Sequence, residues 1–279
     1  MVFYIEKKSA LDYNIIKHIE FWIRYIFSLY FISFNSIFWS DDMIFKRFTT
    51  ITLSLLLVFG VAVFCADREN LETANANLIA KPQIILDAGH GGFDGGAVAN
   101  DGTTEKNINL NICLMLKEML TQNGYDVILT RSDDASTETI TDGSIAQKKK
   151  SDLNARLKLM KKYPDSIFVS IHLNKFTTSA ASGAQVFYSG NFDTSLKLAN
   201  CLQNSVVSLL QPENKRVCKK ATSSTYLLHN ATVPAVLVEC GFLSNTQELK
   251  LLKEEEYQNK IAFCIFCGIT EFFQNKKEI

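Results

Sequence analysis

Neither sign of charge is in excess. Lys and Arg total 29, Asp and Glu total 29, and the 279-residue chain is formally neutral. A long phosphate backbone is held by a basic surface, so nucleic acid is not an expected partner. Histidine is scarce, with only His18, His90, His172 and His229. Cysteine is present but does not pair up, with seven residues at positions 65, 113, 201, 218, 240, 264 and 267. An odd count in so long a chain excludes a small disulfide-stapled scaffold. Cys264 and Cys267 form a C-x-x-C in "IAFCIFCGI", but no second C-x-x-C exists to complete a zinc site. That pair therefore reads as one apolar face of a terminal helix. Internal repeats and low-complexity tracts are also missing. What remains is an ordinary globular composition, long enough for one fair-sized domain with accessory segments.

The accessory part comes first. Phe48 to Ala66, "FTTITLSLLLVFGVAVFCA", is 19 residues without a charge and follows Lys46 and Arg47. That length just crosses a bilayer, and the basic flank favours a cytoplasmic N-terminal side. An uncleaved anchor is the expectation, with a cleaved signal peptide as its rival. Phe64, directly before Cys65, argues against a lipid-modified cysteine. Upstream, "YIFSLYFISFNSIFW" is apolar but short for a span, and Met43 opens what looks like an ordinary signal-anchor start. Residues 1–42 are thus expected to be an extension upstream of the natural start, 43–66 an anchor and 67–81 a polar linker. The catalytic domain is expected over 82–275, outside the cytoplasm.

From Pro82 onward strands and helices alternate. "QIILDAG", "YDVILTR", "SIFVSIHLN", "GAQVFYSG" and "AVLVECG" read as strands, the first and third as apolar runs buried on both faces. Glu105 to Gln122 carries Ile108, Ile112, Met115 and Met119 at helical spacing and stops at Gly124. Further helices are predicted over Ser151 to Tyr163, Asp193 to Leu210 and Glu254 to Phe273. This is an α/β architecture with a mainly parallel or mixed sheet, whose sites belong where strands end and loops begin.

Two histidines sit at such ends. His90 closes one apolar strand inside "DAGHGGFDGG", and His172 closes another in "SIHLN". Neutral imidazole is a common zinc ligand. For a third ligand Glu105, Asp94 and Asp101 compete; Glu105 also suits a helix N-terminus as a dipole residue. Two histidines, one carboxylate and an open position would make a hydrolytic zinc site rather than a closed structural one. Such a site needs a base, and Glu239 follows four apolar residues in "AVLVECGFLSN". Burial there would raise its pKa toward a useful range; a salt bridge is the structural alternative. The glycines do not form a phosphate loop, since neither G-x-x-x-x-G-K-[ST] nor G-x-G-x-x-G is present. They let the backbone bend around His90 and leave room for a bulky substrate. His229 in "YLLHN" reads as a solvent-edge residue, and Lys148 to Lys150 as solvated surface heading a helix.

Taken in order, "DAGHGGFDGGA", "EKNINL", "SIHLN" and "VECGFLSN" resemble the zinc-dependent N-acetylmuramoyl-L-alanine amidases of bacterial cell walls, the amidase-3 group. The resemblance covers about Pro82 to Phe273. It implies a twisted sheet of about six strands flanked by helices, Zn2+ held by His90, Glu105 and His172, and Glu239 as the catalytic carboxylate. Cys240 stands where small or apolar residues are familiar and should alter packing only. The implied reaction is hydrolysis of the bond between the muramic acid lactyl group and L-alanine in peptidoglycan. A zinc carboxypeptidase or deacetylase on the same polymer, or a wall-binding module without turnover, are the alternatives.

The single anchor, the compact domain without wall-binding repeats, and "YLLHNATVPAVLVECGFLSN" are similar to the germination-specific amidases of the spore cortex. Those enzymes strip peptides so that muramic δ-lactam can form, which implies a place in the cell envelope around the forespore. A domain without targeting repeats also raises the expectation of a protein partner that places it or loads its zinc.

Overall fold

Burial of both faces explains why strand β1 (Gln83–Ala88) is apolar along its length, since helices pack on either side of it. The computed structural model describes Thr52 and residues 81–137 and 142–277. The extension, the anchor apart from Thr52, the linker apart from Lys81, and His18 lie outside these residues. Among the described residues no helix is long and apolar enough to cross a membrane.

After β1 come α1 (Glu105–Gln122), β2 (Asp126–Leu129), α2 (Ile145–Lys162), β3 (Ile167–Asn174) and β4 (Gln185–Tyr188). Then follow α3 (Asp193–Leu209), β5 (Lys219–Lys220), α4 (Tyr226–His229), β6 (Ala235–Phe242), α5 (Thr246–Leu252) and α6 (Glu255–Lys277). The strands form one sheet in the order β2-β1-β3-β6-β4-β5. All neighbours run parallel except β4, which is antiparallel to β6. The sheet is therefore mixed, flanked by helices as expected.

The period of two along each strand sorts residues onto two faces. Ile84, Leu86, Val169, Ile171, Val236 and Val238 lie in the cluster that α1, α3 and α6 complete. Ile85, Phe168 and Ala235 face the other way, onto Leu157 and Met160 of α2 and Leu227 and Leu228 of α4. Each such side chain, fully withdrawn from water, contributes about 1.5–3 kcal/mol.

Three readings need correction. The buried stripe of α1 is Ile108, Ile112, Leu116 and Leu120, while Met115 and Met119 only flank it. Leucines one position further on keep the i, i+4 spacing that faces the sheet. Helix α2 begins at Ile145, not Ser151, because Ser144 and Gln147 close a reciprocal capping box. The lysines 148–150 thus lie inside the helix. Finally, β5, α4 and α5 were not predicted, being too short for a periodic signal.

Cys264 and Cys267 behave as expected. Cys264 is buried against Ala184 and Val206, and both thiols are free.

Candidate metal centre

Everything that could do chemistry gathers where β1, β3 and β6 end. The chain leaves β1 at Gly89, whose N–H donates to the Ile171 carbonyl (3.1 Å). A Cβ on Gly89 would lie 2.4 Å from the His172 ring, so glycine is required for that ring to sit there. His90 follows with φ 62°, the one non-glycine residue with positive φ among the described residues. A left-handed histidine costs conformational energy and persists only where its surroundings over-determine it.

Two buried arginines supply that determination. Arg131 donates from Nε to the Ala88 carbonyl (3.0 Å) and from one Nη to the Gly89 carbonyl (3.1 Å). Arg156 donates to the carbonyls of Ala88 (3.0 Å) and His90 (2.9 Å). Three successive carbonyls with no strand partner are thereby satisfied. Arg156 also bonds Asp87, and the Asp152 carboxylate takes its Nε–H (2.8 Å). Asp87 is further held by Ser170 (2.6 Å) and Thr130 (2.8 Å). Burial works against the Asp87 charge, but Arg156 and the hydroxyls win and hold the carboxyl below its usual range. Neither arginine was anticipated from the sequence. The available signal was the Asp152–Arg156 pair at i, i+4 within the apolar stripe of Leu153 and Leu157.

His90, Glu105 and His172 converge. One donor atom from each lies within 4.8 Å of the others, the one such group among the described residues. Glu105, the first residue of α1, is buried with its two oxygens divided. Oε2 accepts the Ala97 N–H (2.8 Å) and lies 3.3 Å from His90 Nε2. Oε1 meets His172 Nδ1 (2.8 Å) and accepts the Leu173 N–H (3.0 Å). Desolvation opposes its charge, yet the two imidazoles keep its pKa far below the ordinary range. For His90, burial pulls downward, and bonds to Asp94 and Glu105 outweigh it and lift the ring to about 9.

The competing aspartates sit elsewhere. Asp94 takes a bond with His90 Nδ1 (2.9 Å) from behind and pairs with Lys149 (2.9 Å). It orients the ring instead of joining the donor trio. Lys149 is half exposed but not merely solvated, which corrects the reading of that lysine run. Asp101 pairs with Lys253 at the surface (2.8 Å). His229 is exposed at the end of α4, as expected.

Glu239 stands beside the trio. Its register partner in parallel β3 is His172, and its partner in antiparallel β4 is Gln185. Register partners point to the same face, so His172, Glu239 and Gln185 form one row across the sheet. Among the described residues Glu239 makes no ion pair, and its buried Oε2 has no hydrogen-bond partner. Burial raises its pKa to about 7; His172 pulls down and Glu105 pushes up. Cys240 points to the opposite face and is buried in the core there. Beyond it β6 carries one extra residue, since His172 pairs with Glu239 but Asn174 with Phe242. This bulge turns Phe242 onto the same face as Glu239, where Phe176 meets it edge-on at 5.0 Å.

The donor chemistry fits zinc. Two imidazoles and one carboxylate, positioned by Asp94, Asn109 and backbone N–H groups, are the donor types of a three-ligand zinc set.

The N-acetylmuramoyl-L-alanine amidase model Amidase_3 matches residues 84–271. The germination-specific N-acetylmuramoyl-L-alanine amidase of Bacillus subtilis is 36% identical over 193 residues, 69% of this chain and 80% of that protein. The CwlD amidase of Clostridioides difficile, solved in complex with the GerS lipoprotein, superposes with a TM-score of 0.67 at 42% identity. That match covers 70% of this chain and 99% of the other. An N-acetylmuramoyl-L-alanine amidase from Clostridium difficile 630 gives a TM-score of 0.60 at 28% identity, over 70% of this chain and 98% of the other.

Proposed function

The chain belongs to the N-acetylmuramoyl-L-alanine amidase family, and from that premise we propose a zinc-dependent peptidoglycan amidase of spore cortex maturation, with Glu239 as its base. The amidase activity itself follows from the family. The metal, the residue roles and the cortex setting are the further reading.

One observation carries the assignment of roles: a buried carboxylate oxygen without a partner, on Glu239, stands in register beside His172 and next to the converged donors. A zinc ion held by His90, Glu105 and His172 would supply Lewis acidity at neutral pH. Glu239, with a pKa of about 7, can accept a proton from the attacking water and return it to the departing L-alanine amine. Asp94 fixes the His90 ring through Nδ1. Asn109 donates to Glu105 Oε1 (3.2 Å) and to the Gly89 carbonyl (3.2 Å), tying α1 to the His90 loop.

The cortex reading is supported by the likeness to the germination-specific enzyme, and entails peptide removal ahead of muramic δ-lactam formation. A membrane anchor over 43–66 and an extracytoplasmic catalytic domain suit a substrate outside the cell membrane. The GerS complex of the CwlD relative supports the reading that this chain, too, works with a protein that places it or loads its metal.

Zinc-loaded full-length protein incubated with purified peptidoglycan tests the reaction by product mass. Peptides with a free L-alanine amine, lost on chelation and regained with zinc, are expected. Released single terminal amino acids or acetate would replace it with a carboxypeptidase or deacetylase. Polymer retained without any release would make it a binding module.

A further inference from the structure

The row of side chains across the sheet does not stop at Glu239. Gln185, its neighbour in β4, donates from Nε2 to the Val217 carbonyl (2.9 Å), and its Oε1 accepts from Arg216 (3.2 Å). Arg216 is pinned in three ways. Its Nε donates to the Ser182 carbonyl (2.7 Å), one Nη donates to Gln185, and its guanidinium lies 4.7 Å from the centre of the Phe242 ring. Phe242 reaches that position because of the bulge in β6 and is buttressed by Phe176.

The orientation is fixed but the charge is not answered. Among the described residues Arg216 makes no ion pair. Glu248 senses its field, but both Glu248 oxygens are occupied, one by the Gly183 N–H (2.7 Å) and one by the Phe242 N–H (2.8 Å). The second Nη of Arg216 has no acceptor among the described residues, and the residue is only partly buried. A planar, pre-oriented guanidinium with a free edge is the group that recognises carboxylates. A surface arginine serving solubility would have no need of two acceptors and an aromatic platform beneath it.

Distance selects the carboxylate. Arg216 reaches Gln185, one strand over from Glu239, and Phe242, three residues further along the same strand, so strand spacing and rise put its guanidinium on the order of 10 Å from Glu239. In an extended peptide a carboxylate on the residue after the alanine lies about 7 Å from the scissile amide. A guanidinium–carboxylate contact spans about 3 Å more.

We infer that Arg216, held by Gln185 and Phe242, determines specificity by binding a free carboxylate on the residue that follows L-alanine in the substrate peptide. The inference rests on the amidase reading and adds a requirement on the peptide.

The test uses zinc-loaded full-length protein and two muramoyl-peptides, identical except for a carboxylate or a carboxamide on the residue after L-alanine. The native enzyme is expected to favour the carboxylate in kcat/KM by roughly tenfold or more, the scale of a charge-assisted hydrogen bond. In Arg216→Met that preference should fall to about one, with Arg216→Lys in between. Equal rates on both substrates in the native enzyme would overturn the inference, and need no variant to be folded. So would an undiminished preference in Arg216→Met, even if both rates drop, because that pattern marks a structural role. No cleavage of either substrate by the native enzyme would instead sink the amidase reading beneath it.

Discussion

His172 and Glu239 are register partners in adjacent parallel strands, so the backbone ladder itself sets a candidate ligand and a candidate base side by side. No loop intervenes between them. Relative position on a paired sheet is among the stiffest relationships a chain can impose, and it is the arrangement that proton transfer next to a metal demands.

Glu239→Gln separates the two halves of that arrangement. The variant keeps all three donors and should bind zinc at one equivalent, while turnover falls about 10²- to 10⁴-fold, the usual contribution of a positioned general base. Metal analysis beside product assays checks it. Loss of zinc in this variant would make Glu239 a ligand rather than the base.

Metal binding should register in stability. Zinc added at about 100 times its Kd to stripped protein stabilises by about 2.7 kcal/mol, a rise of roughly 5–10 °C in Tm for a domain of this size. In His172→Ala the rise should vanish. A thermal shift that survives in His172→Ala would place the ion elsewhere.

Gly89 is expected to be intolerant for a reason confined to the site. In Gly89→Ala the new Cβ meets the His172 ring at 2.4 Å and displaces it. Zinc affinity should drop by an order of magnitude or more, as for loss of a ligand's support. Gly102→Ala is the control: unlike Gly89 it has positive φ, but nothing lies within 4 Å of a Cβ there. It should cost about 1 kcal/mol of stability and no zinc.

The Asp87–Arg156 pair predicts a pH signature. Asp87 has a lowered pKa in the folded protein, so it contributes stability above the ordinary carboxylate pKa of 3.8 and loses it as pH falls through the folded value. At pH 7 Asp87→Asn removes one of the two carboxylates paired with buried Arg156, leaving Asp152, and should cost up to about 3 kcal/mol. Urea unfolding should show the gap between native and variant proteins narrowing below pH 4. A gap constant from pH 7 to pH 3 would mean that the pair does not carry the effect.

The sequence exposes the four candidate site residues because each breaks a pattern. His90, His172 and Glu239 interrupt or end apolar strands, and Glu105 follows the glycine loop at a helix start. The arginines beneath them leave only a faint trace in a linear reading, the i, i+4 spacing of Asp152 and Arg156. Charge ordinarily signals surface, and Arg156 is 2% exposed only because Asp87 and the carbonyls of Ala88 and His90 wait for it at the end of a strand 66 to 69 residues away. Pairing across the sheet was equally hidden. That Gln185 borders Glu239 depends on β4 running against β6, which no local feature of "GAQVFYSG" dictates.

The extra residue in β6 has a consequence for length. Up to Cys240 the strand alternates strictly, and after Gly241 the alternation resumes with its phase reversed, so that Leu243 rather than Phe242 enters the core cluster with Cys240. Straightening the strand with Gly241 kept in the ladder would leave every side chain chemically intact. It would nonetheless exchange the destinations of the two that follow, sending a leucine to the platform under Arg216 and a phenylalanine into a space packed for leucine. At this point of the chain, counting matters more than chemistry: the one residue that stands outside the ladder sets the floor of the cleft while Glu239 stays where it is.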